Sequence, residues 1–301
     1  MKAKPYHLQI SPKTRFLNFL RRFFIISGLD KFLARYARNN KKKALAAKLI
    51  PPNYLYHPDT MRTCKVDGIN FRLDVSDTVG HTNYYSIDDQ AEQLLFDFVQ
   101  PGMVVIDIGA NIGATTLKLA KRVLPTGKIF SFEPSPYNYK RASENISLNN
   151  FSNITLIRQG LGNEKTTLFL YNVNSHNRGM QRILSNEDGA LSYEKTAVEI
   201  DTLDSSMQKF DISKPSLIKI DVEGFELKVL KGGRGTITKH RPALFIELDD
   251  YNLHEQGNNP KELIQSLIQL HYKIINAATG NPVDENTDYA NCHFDILCTP
   301  A

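Results

Sequence analysis

The chain has 301 residues, of which 41% are apolar and 23% are charged, and its formal net charge is +5. This is the composition of a globular protein, so disordered, collagen-like and coiled-coil classes are disfavoured. The three cysteines, Cys64, Cys292 and Cys298, are scattered and form no Cys-x-x-Cys pair. They indicate neither a zinc site nor a disulfide framework, and a reducing compartment, the cytoplasm, is expected.

The charge is unevenly distributed along the chain. Residues 1–50 contain 13 Lys or Arg and one acid, Asp30, whereas the other 251 residues contain 24 bases and 31 acids. A segment of net charge +12 therefore precedes a body of net charge −7. A uniformly basic nucleic-acid-binding protein is disfavoured and no nucleic-acid partner is expected, while the segment suits contact with an anionic surface.

Residues 1–58 are predicted to form a basic, amphipathic helical arm, because apolar residues recur at roughly helical spacing between Phe16 and Leu33. The longest uncharged apolar stretch, Phe23–Leu29, is far shorter than the roughly 20 residues that cross a bilayer. Two interpretations stay open. Either the arm packs on the body with its charges in solvent, or residues 1–50 contact the inner face of an anionic membrane peripherally.

Residues 59–100 are predicted to lead into a larger domain, residues 101–301. Asp67-Gly68 between two stretches of alternating apolar residues predicts a β-hairpin. Ser86–Asp89 matches a capping box and predicts that a helix begins there. For the Tyr84-Tyr85 pair ahead of that helix, stacking on a sugar and packing in the core are equally open roles.

Residues 101–301 alternate between strand and helix patterns, and short runs such as Val104-Val105-Ile106 are apolar throughout. Such runs are typical of strands covered on both faces, so we predict a doubly wound α/β domain with a mostly parallel sheet. An additional pair of strands, 167–171 and 196–200, is expected to bracket a polar insert. The sheet strands are predicted at 103–108, 128–132, 154–158, 217–220, 243–247, 272–275 and 294–297. The helices are predicted at 112–123, 136–148, 225–231 and 260–270.

A glycine-containing loop follows the first predicted sheet strand, at Asp107-Ile-Gly109-Ala-Asn111-Ile-Gly113. Its glycines permit a sharp turn and close approach of a ligand, and the helix after it offers free backbone N–H groups. Glu133 ends the second strand, where an acid accepts both hydrogen bonds of a ribose diol. The spacing lacks the Gly-x-Gly-x-x-Gly of dinucleotide sites, so S-adenosylmethionine fits better, with Asp107 pairing to its ammonium group.

Four motifs together resemble the FkbM family of methyltransferases. They are Asp107–Gly113, Phe132-Glu133-Pro134, Ile200–Asp204 and Ile218–Glu226 with its Asp-Val-Glu-Gly-x-Glu core, followed by Leu230-Lys231-Gly232. The resemblance runs from about Gly68 to about Glu247 and leaves the basic arm outside. It implies a class I, Rossmann-like methyltransferase that uses S-adenosylmethionine and, in most members, methylates sugar or polyketide-type hydroxyls.

The resemblance also implies which residues meet the cofactor. The methionine part would lie against Asp107, Gly109, Ala110, Asn111 and Gly113. Glu133, with Pro134 beside it, would hold the ribose, and the adenine would be lined by Gly160, Leu161 and Gly162.

Asp221 and Glu223 follow the predicted fourth sheet strand, and strand alternation would send both to one side. Methyl transfer is an in-line displacement, and a hydroxyl acceptor is a poor nucleophile that benefits from a base. We expect Asp221 to be that base, with Glu223 assisting and no metal. An alternative gives Asp221 a divalent metal shared with Glu247 or Asp249. For Glu226, capping of the following helix is favoured.

His176, in the polar insert, is a second candidate base, and the adjacent Asn177 and Arg178 are candidates for acceptor binding. The predicted function is O-methylation of a hydroxyl on a glycan, glycolipid or similar natural-product intermediate. A nucleic-acid or small-molecule N-methyltransferase is one alternative, although Asp221-Val-Glu-Gly224 replaces the Asn/Asp-Pro-Pro-aromatic motif usual there. A non-catalytic, membrane-associated binding protein is the other.

Overall fold

The computed structural model describes residues 11–39, 48–87, 90–172, 181–183 and 194–301. The chain forms two compact units, and the first ends at Ile87. His176, Asn177 and Arg178, to which we assigned candidate roles, lie outside the described residues.

The first unit contains helices and a hairpin. Its elements are α1 (Pro12–Ile26), α2 (Asp30–Asn39), β1 (Met61–Val66), β2 (Ile69–Asp74) and α3 (Thr78–Tyr85). The predicted hairpin is confirmed, because β1 and β2 pair antiparallel. Its turn residues Asp67 and Gly68 have φ of 50° and 83°, the left-handed conformation that a tight two-residue hairpin needs.

A buried polar cluster holds the first unit together. Asp30 is fully buried and pairs with Arg62, at 3.2 Å between Oδ2 and Nη2. The Tyr56 and Tyr85 hydroxyls lie 2.5 Å apart, and Tyr56 also donates to Asp30. Tyr84 and Tyr85 are both buried, so the structure places this pair in the core rather than on an open surface.

The capping box expected at Ser86 was wrong. Ser86 ends α3 in the left-handed conformation, and its N–H donates to the carbonyl of Asn83. It therefore caps the C-terminal end of α3, and the next helix begins four residues later at Gln90.

The second unit alternates strands and helices. Its strands are β3 (Val104–Ile108), β4 (Lys128–Phe132), β5 (Ile154–Ile157), β6 (Gly160–Gly162), β7 (Thr166–Asn172), β8 (Gln181–Ile183), β9 (Lys195–Thr202), β10 (Leu217–Ile220), β11 (Ala243–Asp249), β12 (Tyr272–Asn276) and β13 (His293–Pro300). Its helices are α4 (Gln90–Phe98), α5 (Ala114–Arg122), α6 (Pro136–Ser147), α7 (Leu203–Lys209), α8 (Glu226–Gly232), α9 (Arg234–His240), α10 (Asp250–Glu255) and α11 (Pro260–Gln269).

The main sheet has the strand order β12-β13-β11-β10-β3-β4-β5. β13 runs antiparallel to both of its neighbours, and the other pairs are parallel, as the predicted mostly parallel sheet requires. Apolar side chains of β3 and β10 are buried on both faces of this sheet, with Ile106 and Ile218 in one cluster and Val105 and Leu217 in the other. The predicted strand pair in the insert is confirmed as β7 and β9, which belong to a smaller sheet with β6 and β8.

The strand order places a topological switch point beside β3. The chain passes from β3 outward to β4 and β5, and then returns to β10 on the other side of β3. Ligands of open α/β sheets bind outside the carboxyl ends of the strands at such a point. Here those ends are the residues after Ile108 and after Ile220.

Candidate active site

An open cavity lies at the switch point, and its empty space together with the solvent at its mouth is about 740 Å³. Its wall is built from the loop after β3, the end of β4, the β6 and β8 strands, and the turn after β10. Predicted site residues that line it are Gly109, Asn111, Glu133, Pro134, Gly160, Leu161, Asp221 and Glu223.

The loop after β3 is bound tightly to the neighbouring strands. The N–H groups of Gly109 and Ala110 both donate to the carbonyl of Phe132, at 3.0 Å. Gly109 has a φ of +85°, and a Cβ atom on it would lie 1.8 Å from the carbonyl oxygen of Asp221. Glycine is therefore required here, because the end of β3 packs directly against the backbone that follows β10.

Glu133 fixes the opposite wall of the cavity. Its Oε2 accepts the N–H of Asn111 at 2.7 Å, and its Oε1 accepts the N–H of Ser135 at 2.9 Å. Burial raises the pKa of Glu133 to about 7, and the hydrogen bonds from Ser135 and Asn111 offset part of that effect. The side chain of Asn138 also hydrogen-bonds this carboxylate, so about one of its roughly four lone-pair sites stays free for a ligand hydroxyl.

Some predicted cofactor residues do not reach the cavity wall. Asp107 is fully buried, and its Oδ2 accepts the Thr116 hydroxyl at 2.6 Å. Gly113 instead opens α5 in the left-handed conformation. Ala110 and Gly162 are also absent from the cavity lining, and a Cβ atom on Gly162 would lie 3.0 Å from Ile200. These residues shape the backbone around the cavity rather than its surface.

Lys219, to which the sequence interpretation gave no role, lies between two carboxylates. Its Nζ is 3.0 Å from Oδ2 of Asp221 and 3.5 Å from Oδ1 of Asp107. Burial opposes the charge of Lys219, but Asp221 and Asp107 together raise its pKa above the usual value, so it stays an ammonium. A single charge within the apolar Leu217–Ile220 strand was the available signal, since buried lysines are rare unless paired.

The turn after β10 carries Asp221 and Glu223 into the cavity. Glu223 has a φ of 54°, so a left-handed turn, and not strand alternation, gives it this direction. Its Oε2 accepts Asn252 Nδ2 at 2.9 Å and pairs with Arg182 Nη2 at 3.3 Å. Burial and the nearby Asp221 raise the pKa of Glu223, while Arg182 counteracts them.

Glu226 holds this turn together through hydrogen bonds to its backbone. Its Oε1 accepts the N–H groups of Val222 and Gly224, both at 3.1 Å. Burial raises the pKa of Glu226 to about 7, and these backbone bonds offset part of the rise. The carboxylate of Glu226 thus binds N–H groups of the turn that precedes α8, and capping of the helix itself stays a prediction.

A second open cavity lies at the neighbouring strand ends, with about 620 Å³ of empty space including the solvent at its mouth. Asp221 and Lys219 line it together with Glu247, His293 and Asp295. Burial, and next the charge of Asp221, raise the pKa of Glu247 well above its ordinary value. Asp221 therefore borders both cavities, and its side chain is 41% exposed.

The structure offers no support for a metal held by Asp221 with Glu247 or Asp249. Within the ranges that it describes, no three His, Cys, Asp or Glu side chains are arranged to hold an ion. The carboxylate of Asp249 instead accepts the N–H of Asn252 at 2.7 Å and lies 2.8 Å from Nδ1 of His293.

A family profile described as the methyltransferase FkbM domain matches residues 107–274, more than half of the chain. The chain belongs to the FkbM methyltransferase family. The match spans the loop after β3, Glu133 and the turn after β10, so the resemblance seen in the motifs is confirmed.

Curated relatives share this part of the chain. Methyltransferase sdnD of Sordaria araneosa is 31% identical over 157 residues, which is 42% of this chain and 59% of that protein. The 2-O-methyltransferase NoeI of Sinorhizobium fredii is 26% identical over 185 residues, 56% of this chain and 72% of that protein. The hexuronic acid methyltransferase AglP of Haloferax volcanii is 26% identical over 140 residues, 46% of this chain and 54% of that protein. The chain thus spans just over half the length of sdnD and AglP.

The family uses S-adenosylmethionine, and the residues of the first cavity fit that cofactor. The side-chain oxygens of Asn111 and Gln159 are buried there without a hydrogen-bond partner among the described residues, so they can accept bonds from a ligand. Glu133 at the cavity wall can accept a hydrogen bond from a ribose hydroxyl. When bound, the cofactor supplies a methyl group activated on a sulfonium.

Proposed function

We propose that this protein is an S-adenosylmethionine-dependent O-methyltransferase that acts on a hydroxyl of a glycan, glycolipid or similar natural-product intermediate. The observation that carries the proposal is the position of Asp221, which borders both cavities. A cofactor in the first cavity and an acceptor in the second would then meet at a carboxylate. NoeI and AglP, named for 2-O-methylation and for a hexuronic acid substrate, support a hydroxylated sugar as acceptor.

Asp221 is proposed as the general base. Its Oδ2 accepts a hydrogen bond from Lys219, which fixes the carboxylate, and its Oδ1 is proposed to take the proton of the acceptor hydroxyl. With the cofactor bound, its methyl group would leave sulfur as the acceptor oxygen bonds to it, and Asp221 would hold the proton that the hydroxyl loses. Holding the three reacting atoms in line supplies a large share of the rate, and general base catalysis adds about 10²–10⁴-fold.

Glu223 is proposed to assist by position, because Arg182 and Asn252 hold its carboxylate beside the cavity. His176 stays a prediction as a second base. We place the activity in the cytoplasm, since Cys64, Cys292 and Cys298 are all free thiols.

Asp221→Asn tests the proposal, because the amide keeps the shape of the side chain and cannot accept a proton. Calorimetric titration should show S-adenosylmethionine binding to the variant within about threefold of wild type, with no binding of NAD. Methyl transfer should fall about 10²–10⁴-fold. Transfer is measured as the mass of one methylene group added to glycans extracted from source cells that lack the gene.

Asp97→Asn is the matched control, because Asp97 is an exposed carboxylate on α4 that lines neither cavity. It should leave both measurements unchanged. Absence of S-adenosylmethionine binding by the wild type would overturn the proposed function. Wild-type turnover by Asp221→Asn would reject the base while leaving the cofactor assignment intact.

A further inference from the structure

The outward face of α1 is apolar, which is unusual for an exposed helix. Phe16, Phe19, Phe23 and Ile26 follow one another at spacings of three or four residues, so they share one face. Their exposed fractions are 66%, 72%, 63% and 85%. Since a whole phenylalanine offers about 200 Å², the face exposes on the order of 500 Å² of apolar surface, the size of patch that is often functional.

The opposite side of α1 anchors the helix within the first unit. Asn18 is buried and donates to the hydroxyl of Tyr54 at 3.2 Å. Arg21 donates from Nε to the carbonyl of Lys48 at 3.0 Å. The four apolar residues of the outward face lie on the other side of the helix from these anchors, so they point away from the part of the unit to which α1 is attached.

Positive charge flanks the apolar face. Lys13, Arg15 and Arg22 are exposed and lie three or four residues from its members. The sequence of α1 contains no acid, and Asp30, the first acid of the chain, is buried against Arg62. No carboxylate of α1 is therefore available to neutralise these bases.

Helix α2 repeats the combination. Phe32 is 68% exposed, and Lys31 and Arg35 beside it are exposed bases. Ala34, on the other side of α2, is buried. Two consecutive helices thus each present an aromatic side chain together with cationic neighbours.

We propose that the outward face of α1, with Phe32 of α2, docks in the plane of an anionic lipid bilayer. A helix that presents bulky apolar groups between Lys and Arg enters the headgroup boundary, where lipid tails receive the apolar groups and anionic headgroups pair with the bases. Among the described helices none has the length and apolarity to cross a bilayer. The charge favours anionic lipid over a second copy of this chain, since two such faces would repel each other.

Co-sedimentation of the full chain with vesicles tests the docking surface. The wild type should bind vesicles containing phosphatidylglycerol and bind pure phosphatidylcholine much more weakly. Phe19→Ser with Phe23→Ser should weaken binding to anionic vesicles at least tenfold. Arg15→Gln with Arg22→Gln should weaken it about fivefold for each charge removed, and added salt should reproduce that loss.

Two control variants remove a base or an apolar side chain from surfaces outside the proposed docking face. Lys65→Gln removes an exposed base from β1, and Leu148→Ser removes an apolar side chain that is 43% exposed after α6. Both should bind vesicles like the wild type. Unchanged thermal melting and S-adenosylmethionine affinity of all variants would show that only the surface was altered.

Equal wild-type binding to both vesicle types, or none to either, would overturn the proposal. So would anionic binding that survives the double phenylalanine replacement. Sedimentation velocity tests whether a second copy of this chain covers the face instead of lipid. In that case the wild type would form dimers, and the Phe19→Ser, Phe23→Ser double variant would be monomeric. Vesicle binding and self-association are measured without the cofactor. Failure of the docking proposal therefore leaves the proposed enzyme activity untouched, and failure of the enzyme proposal leaves the docking result untouched.

Discussion

Replacing Glu133 by Gln tests the cofactor cavity through its pH dependence. The wild-type carboxylate accepts the N–H groups of Asn111 and Ser135, and burial raises its pKa to about 7. Ribose hydroxyls donate to the ionised form more strongly than to the protonated form. S-adenosylmethionine should therefore bind more tightly as the pH rises through about 7.

The magnitude follows from that pKa. Between pH 6 and pH 8 the ionised fraction of Glu133 rises from about one tenth to about nine tenths, so the affinity should rise about tenfold. Glu133→Gln removes a charged acceptor contributing about 1.5–3 kcal/mol, which predicts binding roughly 10–100-fold weaker at pH 8. Isothermal titration at several pH values measures both effects.

The same group links pH to folding stability. Its pKa is raised from 4.5 to about 7 in the folded chain, so the folded state holds the proton more tightly than the unfolded state. The resulting stabilisation is complete below about pH 4.5 and is lost as the pH rises through about 7, amounting to about 3 kcal/mol at most. Urea unfolding of Glu133→Gln should show a flatter pH dependence.

Glu226→Gln is the matched control for the binding experiment. Glu226 is a second buried carboxylate whose pKa is raised to about 7, but it does not line the cofactor cavity. This variant should change the pH dependence of stability and leave that of binding intact. Comparing variants at each pH also cancels titration of the amino group of the ligand. If Glu133→Gln keeps the wild-type pH dependence of affinity, Glu133 does not contact the ribose as argued.

Two further predictions concern the packing around Asp221. Gly109→Ala should abolish S-adenosylmethionine binding, because its Cβ would overlap the Asp221 carbonyl. Gly280→Ala is the control: Gly280 has a φ of +73° and nothing near its Cβ position, so this variant shows the cost of the backbone conformation alone. Lys219→Met should lower the free energy of unfolding by about 3–5 kcal/mol in urea titrations, because it leaves buried charge unpaired. Lys118→Met, which breaks an ion pair nearer the surface, should cost at most about 1 kcal/mol. Equal loss of cofactor binding in Gly109→Ala and Gly280→Ala would contradict this account. So would an equal decrease in the free energy of unfolding in Lys219→Met and Lys118→Met.

The sheet could be predicted from the sequence because its strands are continuous apolar runs. The predicted 128–132 and 217–220 strands have the bounds of β4 and β10. Helices α7 and α10 were missed, since seven and six residues are too few for a helical period to stand out. Thr202, whose side chain accepts the Ser205 N–H, was a local start signal that a longer apolar pattern did not accompany.

Only those features of the site that depend on a single loop could be predicted from the sequence. The Gly109 turn and the strand-end position of Glu133 follow from local sequence, and both residues line the cavity. The pairing of Asp107 with Lys219 does not, because it depends on which strands are neighbours and on their register. Asp107 was expected at the ligand for that reason, while Lys219 received no role.

The turn from Asp221 to Glu226 limits how this enzyme architecture can vary. Glu226 folds back on the N–H groups of Val222 and Gly224, so the proposed base and its clamp are one closed piece of backbone. An insertion between Asp221 and Glu226 would move the proposed base away from the carboxylate that holds its turn. New acceptor preferences are therefore expected to arise by exchange of side chains on the surrounding cavity walls, such as Phe294 on β13, while the length of this turn stays fixed.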